Sequence, residues 1–252
     1  MNDSHQVSKA LRSTIARADN VIGGLGIFLV SGVVIAVILT LGFGEFAETV
    51  MAGKTQAFDE SVLQWMGAHH TGLLDGAMLE ITALGTGTVV LMIVCISALF
   101  LALTRHRYSA LLLVVATAGG LLLNLALKLF FDRPRPHIIV WGTNAVSSSF
   151  PSGHAMSATI VYSTVAYLAA RLFHRAWQRW LTMIFAMIVI ILISLSRLYL
   201  GVHYPSDVVA GAVIGLAWAA FCMATLEGIQ RLATRHQPDI QRHEEPAPEA
   251  SS

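Results

Sequence analysis

Six stretches of the chain, near residues 21–43, 83–104, 108–130, 154–173, 178–200 and 207–227, are apolar almost throughout. Each approaches the ~20 residues that a helix needs to cross a hydrocarbon core. In lipid every backbone polar group must be satisfied internally, and a single helix does this within one segment. The pattern therefore predicts an all-α, polytopic membrane bundle of six transmembrane helices. Composition points the same way: of 252 residues, 55% are hydrophobic and 12% charged, against roughly 25% charged in a soluble domain. The first run is too long for a signal-peptide core and lacks a convincing cleavage site, so it reads as a retained helix. Cys95 and Cys222 lie inside apolar runs, behave as small hydrophobes and have no metal-ligand spacing. A net charge of +1 without a basic stripe sets nucleic acid aside as a partner.

Basic residues orient the bundle. Eleven of the sixteen fall on one side: Lys9, Arg12 and Arg17, then Arg105 and Arg107, then Arg171, Arg175 and Arg179, then Arg231, Arg235 and Arg242. By the positive-inside tendency that side, with both termini, is cytoplasmic. The expected organisation is a cytoplasmic segment 1–20, a membrane domain 21–228 and a disordered cytoplasmic tail 229–252. The first outer connection, about 44–84, holds a stretch from Phe58 to Met66 that reads as an interfacial helix with Trp65 at headgroup level. The adjacent His69 and His70 point in different directions on a helix and read as surface residues.

The outer side keeps only Lys54, Lys128, Arg133, Arg135 and Arg197, and four of these five cluster. Charges at the ends of apolar helices are expensive and mark functional sites. Lys128 and Arg135, at the outer end of the third span, offer a compact cation and a planar fork suited to a phosphoryl group. Pro151-Ser152-Gly153-His154 opens the fourth span. There Ser152 is placed to cap the helix and Gly153 lets a ligand approach the backbone. The free N–H groups of that turn favour an anion, and His154 is placed to donate a proton. Between the fifth and sixth spans stand Ser196, Arg197, His203 and Asp207. His203 and Asp207 are four apart and share a helical face, so the carboxylate can fix one ring nitrogen and leave the other as a nucleophile. The three segments are far apart in sequence, yet the topology puts all of them at outer helix ends.

The spacing Lys-x6-Arg-Pro, then Pro-Ser-Gly-His, then Ser-Arg-x5-His-x3-Asp resembles the three-part signature of the type-2 phosphatidic acid phosphatase family. That family shares its active site with vanadium haloperoxidases. The resemblance covers residues 128–207 closely and about 22–227 by its helical plan. It implies that His203 attacks phosphorus, that Asp207 orients it, and that His154 protonates the leaving lipid oxygen. Lys128, Arg135, Ser152, Gly153 and Arg197 would hold the phosphate oxygens. No metal and no cofactor is implied. Arg133 is off the signature register and reads as a headgroup contact or a surface charge.

The implied activity is a lipid phosphatase in a bacterial inner membrane, facing the periplasm or exterior. Its substrate would be undecaprenyl diphosphate, phosphatidylglycerophosphate, phosphatidate or a lipid A phosphate. Alternatives on the same scaffold are a lipid phosphotransferase, a vanadate-dependent halide oxidase and a lipid transporter. Both His154 and His203 are present, which tells against a degenerate transporter. Oligomeric state leaves no trace in the sequence.

Overall fold

Long runs of Leu, Ile, Val and Ala with short polar interruptions fold as helices wherever the sequence lets them. The computed structural model describes residues 29–138 and 147–235. The expected N-terminal segment 1–20, the start of the first apolar run and all of the expected tail 229–252 beyond residue 235 lie outside the described residues, while 229–235 is helical. Among those described there are eight helices and no strand. They are α1 Leu29–Met51, α2 Gln56–Ala68, α3 Gly72–Ala83, α4 Gly87–Leu103, α5 Arg107–Phe131, α6 Gly153–Leu172, α7 Ala176–Tyr199 and α8 Pro205–Arg235.

Helices α1, α5, α7 and α8 are long and apolar enough to cross a membrane. A fifth span results if α3 and α4, bent by 47° at a short break, are counted as one. Helix α6 stands apart for a physical reason. Ten of its twenty residues are buried, and it carries His154, Ser157, Thr159, Ser163 and Thr164 among its small apolar residues. It packs against α4, α5, α7 and α8, so most of its surface meets protein and need not be lipophilic. The outer helices behave oppositely: Leu129, Phe130 and Trp180 are 77%, 80% and 70% exposed. A soluble protein does not leave so much contiguous aliphatic and aromatic surface uncovered.

Helices α6 and α8 meet at backbone distance. A Cβ on Gly211 would lie 2.6 Å from the carbonyl oxygen of Ser152, and one on Gly215 would lie 2.9 Å from that of Met156. Gly211 and Gly215 are four apart, the small-x-x-x-small spacing that lets helices approach closely in lipid. This contact brings the start of α8 onto the start of α6.

The connection read as 44–84 differs from expectation. Helix α1 continues through Gly42 and Gly44 to Met51, and the rest of the segment is folded into α2 and α3. The interfacial helix expected at Phe58–Met66 lies within α2. Its outer side exposes Phe58 and Trp65, while Asp59 and Leu63 are fully buried. A helix with an apolar outside and a buried carboxylate is docked by its polar side, and here the dock is the start of α8.

Candidate active site

Four helix ends meet at one end of the bundle. Helix α5 brings Lys128 in its last turn and stops at Asp132, which takes a left-handed conformation at φ 36°. Asp tolerates that region better than most residues, and Pro134 and Pro136 then bar a return to helix. The Lys128 ammonium donates to the Ser148 carbonyl at 2.6 Å.

Ser152 caps α6, its hydroxyl accepting from the Ala155 amide at 3.5 Å. The Ser152 amide donates to the Asp207 carbonyl at 2.9 Å, which ties α6 to α8. His154 sits in the first turn. It packs against the α3–α4 break, where a Cβ on Gly85 would lie 3.0 Å from the imidazole Cδ2.

Helix α7 ends in a Schellman turn. The Gly201 amide donates to the Leu198 carbonyl and the Val202 amide to the Arg197 carbonyl. Gly201 supplies the positive φ of 62° that the turn requires. This short loop therefore holds Arg197 and His203 in a fixed relation. The Arg197 guanidinium donates to Thr82 Oγ1 at 2.7 Å, while its buried Nε has no partner. At the start of α8, Asp207 reaches back to the Tyr204 amide at 2.8 Å, half of a capping box.

His203 is 2% exposed. Its Nδ1 lies 3.6 Å from Asp207 Oδ2 and 3.4 Å from the Ser149 hydroxyl, which itself donates to Asp207 Oδ2. A hydroxyl that gives its one proton to a carboxylate can only accept from the ring. Nδ1 is therefore the protonated nitrogen, and Nε2 keeps its lone pair. Arg135 lies beside that lone pair, its Nη1 3.5 Å from Nε2 and 2.9 Å from the Val202 carbonyl. Burial pushes His203 down to about 4, the Asp207 carboxylate pulls it back up, and Arg135 and Arg197 add to the lowering. The ring is thus neutral at ordinary pH. Burial also lowers the Arg135 guanidinium, against the pull of Asp207.

The eight residues singled out in the sequence converge. His154 interacts electrostatically with Arg197, His203, Arg135 and Lys128, and Lys128 with Arg135, Asp207 and Arg197. Lys128 also lies behind Gly153, its Cε 3.7 Å from the place of a Cβ there. The result is a cradle of cations and a helix N-terminus facing two imidazoles, an arrangement able to hold a phosphoryl group and transfer it.

Arg133 corrects expectation. It is neither a headgroup contact nor a surface charge: it is 7% exposed and paired with two buried carboxylates, Asp207 at 2.6 Å and Asp59 at 3.0 Å. Its guanidinium also lies over the Tyr204 ring at 4.3 Å. Sequence reasoning missed Ser149 and Asp59 as members of this region. Ser149 stands three residues before Ser152, but a serine in a polar loop carries no mark of its own. Asp59 had one faint signal, an acidic residue inside an apolar helical stretch. The expected surface pair also divides: His69 is exposed, whereas His70 stacks on Tyr199 at 4.1 Å and contacts Asp75 at 3.1 Å. Among the described residues no three His, Cys, Asp or Glu side chains gather as a metal ion requires.

Residues 107–231 match the PAP2 superfamily. The chain is 32% identical over 179 residues to phosphatidylglycerophosphatase B of Bacillus subtilis, covering 71% of this chain and 88% of that one. It is 28% identical over 155 residues to an undecaprenyl-diphosphatase of the same organism, covering 59% and 73%. The crystal structure of a transmembrane PAP2-type phosphatidylglycerolphosphate phosphatase from Bacillus subtilis superposes with a TM-score of 0.72 at 30% identity, covering 78% of this chain and 98% of that one.

Proposed function

This chain belongs to the PAP2 superfamily and is a membrane lipid phosphatase, and on that premise we propose that it hydrolyses a lipid phosphomonoester or diphosphate through a phosphohistidine on His203. The observation that carries the reading is the His203 ring itself: neutral, buried, tethered at Nδ1 by Ser149 and Asp207, with Nε2 turned toward Arg135.

Nε2 attacks the terminal phosphorus, and the bond from it to the leaving oxygen breaks, that oxygen belonging to the lipid alcohol in a phosphomonoester and to the lipid monophosphate in a diphosphate. That oxygen takes the proton carried by His154. Neutral His154 then removes a proton from water, whose oxygen displaces the ring nitrogen, and inorganic phosphate leaves with His203 neutral again. Lys128, Arg135, Arg197, Ser152 and the Gly153 amide neutralise and position the phosphate oxygens throughout. Phosphoryl transfer asks for little else from a protein.

In this reading six spans place both termini in the cytoplasm and the site at the outer face of a bacterial inner membrane. Segment 1–20, a membrane domain from residue 21 and a tail that follows the end of α8 at Arg235 complete the plan. The pairing of basic residues with one end of the bundle supports that orientation. The substrates named for its relatives, phosphatidylglycerophosphate and undecaprenyl diphosphate, are the first to test.

The deciding measurement is phosphate release by the purified protein from these two lipids and from phosphatidate. His203→Ala is expected to lose about 10³-fold or more of turnover. Wild-type turnover in that variant would falsify the nucleophile assignment.

A further inference from the structure

Helix α2 lies outside all three signature segments, yet it sends a fully buried carboxylate into the region behind the nucleophile. Asp59 Oδ1 accepts the Ser206 amide at 3.0 Å. Its Oδ2 accepts from Ser206 Oγ at 2.5 Å, Thr55 Oγ1 at 3.0 Å and Arg133 Nη2 at 3.0 Å. It therefore caps the N-terminus of α8 from another helix, 147 residues away in sequence. Arg133 divides its fork between two carboxylates. Nη2 takes Asp59 and Gln56 Oε1, and Nη1 takes Asp207 Oδ1 and Ser206 Oγ. Asp207 is left with no rotational freedom: Oδ1 is held by Arg133, and Oδ2 accepts from the Tyr204 amide and the Ser149 hydroxyl.

A strut with a purely structural task could have paired Arg133 with Asp59 alone. Instead the cation sits between that carboxylate and Asp207, which itself faces the His203 ring at 3.6 Å, so Asp59 acts on the ring through Arg133 and Asp207. We propose that Asp59 and Arg133 are a positioning pair for the nucleophile: Asp59, delivered by α2, holds the guanidinium so that it pins one Asp207 oxygen and leaves the other to Ser149 and His203. The proposal rests on His203 being the nucleophile. It makes α2 a working part of the site even though none of its residues touches the phosphate.

The two members carry opposite charge, so their loss leaves opposite signatures. Asp59→Asn keeps the shape and removes a negative charge, which disfavours the imidazolium and moves the acid limb of the pH profile of kcat/KM to lower pH. Arg133→Gln leaves two buried carboxylates without their cation, which favours protonation of His203 and Asp207 and moves that limb to higher pH. The other groups facing His203 and Asp207, namely Lys128, Arg135, His154 and Arg197, stay in place in both variants.

With short-chain phosphatidate in detergent micelles, each substitution is expected to lower kcat roughly tenfold to a hundredfold, as misplacement of a reacting group does, with KM changed less than about threefold. Wild-type kcat in both folded variants, or limbs that shift in the same direction, overturns the pair. Arg133→Lys covers the case in which Arg133→Gln does not fold. It keeps the charge but cannot span both carboxylates, so kcat should fall with the limb unmoved, and wild-type kcat there overturns the pair as well. His203→Ala run in parallel separates the two ideas. Full activity in that variant overturns the nucleophile reading itself, whatever Asp59 and Arg133 do.

Discussion

Arg171 at one end of the helical bundle and the cations gathered at the other are held differently. At the end where α6 meets α7 and the last turns of α8, Arg171 lies 2.8 Å from Glu227, donates to Gln230 at 2.8 Å and lies over the Tyr167 ring. Tyr167 donates to the same Glu227 at 2.5 Å. Arg171 is thus matched by a carboxylate, whereas the exposed Arg179 of the same end donates to the Phe173 carbonyl. At the opposite end Lys128, Arg135 and Arg197 have, among the described residues, only carbonyl, hydroxyl and, for Arg135, imidazole partners. Their charge is answered by no carboxylate within ion-pair distance. A cation held by neutral oxygens retains its field, and a phosphate can collect it; a cation already paired has little to offer a ligand.

Arg133 shows that location alone does not make the difference. It lies two residues from Arg135, yet it is neutralised by Asp59 and Asp207. Two arginines of one loop thus fall on opposite sides of the same distinction, one paired with carboxylates and one without.

That contrast can be broken by mutation. Arg197→Ala is expected to lower kcat/KM by about 10²- to 10³-fold, the usual consequence of losing a donor to transition-state charge. Phosphate-release kinetics with phosphatidate check it, and a loss under tenfold would place Arg197 with the structural cations. The pH profile sharpens the same point. In the proposed reading His203 must be neutral to attack, and because burial pushes it down to about 4, kcat/KM should not decline as pH falls from 7 to 5. An imidazole titrating at 6.5 would cost about twenty-fivefold over that interval, so a decline of that size contradicts the buried neutral ring. Ser149→Ala removes the hydroxyl bridging Asp207 and His203, and roughly a tenfold loss of kcat is expected with KM nearly constant. The smallest effect belongs to the other end. Arg171→Gln should leave kcat/KM within about twofold and cost at most about 1 kcal/mol of stability, since the pair is partly exposed. A large kinetic loss there would erase the distinction between the two ends.

Much of the architecture was legible before any coordinates. Runs of twenty apolar residues can only be helices in lipid, and α5 and α7 begin and end near their expected limits, whereas α8 runs on to Arg235, past the expected end near 227. Ser152 as a cap and the four-residue offset of His203 and Asp207 are local features, set by covalent spacing and helix periodicity. Other features escaped. Helix α1 runs on past Gly44 because its neighbours support it, where hydropathy alone reads an end. The spacing of Gly211 and Gly215 was available and went unread, although it is what seats α8 on α6. The fate of residues 52–84 depended on a buried carboxylate finding a partner in a distant loop, and no window of sequence contains both.

By itself the sequence determined that this chain builds a lipid-facing helical bundle and that its phosphate-handling groups sit at helix ends. Hydrophobic run length, capping residues and i, i+4 offsets act over a few residues and survive in one dimension. Only the tertiary structure decided which of those groups remain available to a ligand. Whether an arginine binds substrate or holds the fold depends on the carboxylates that come within 3 Å of it, and for Arg133 these lie 74 residues away on either side.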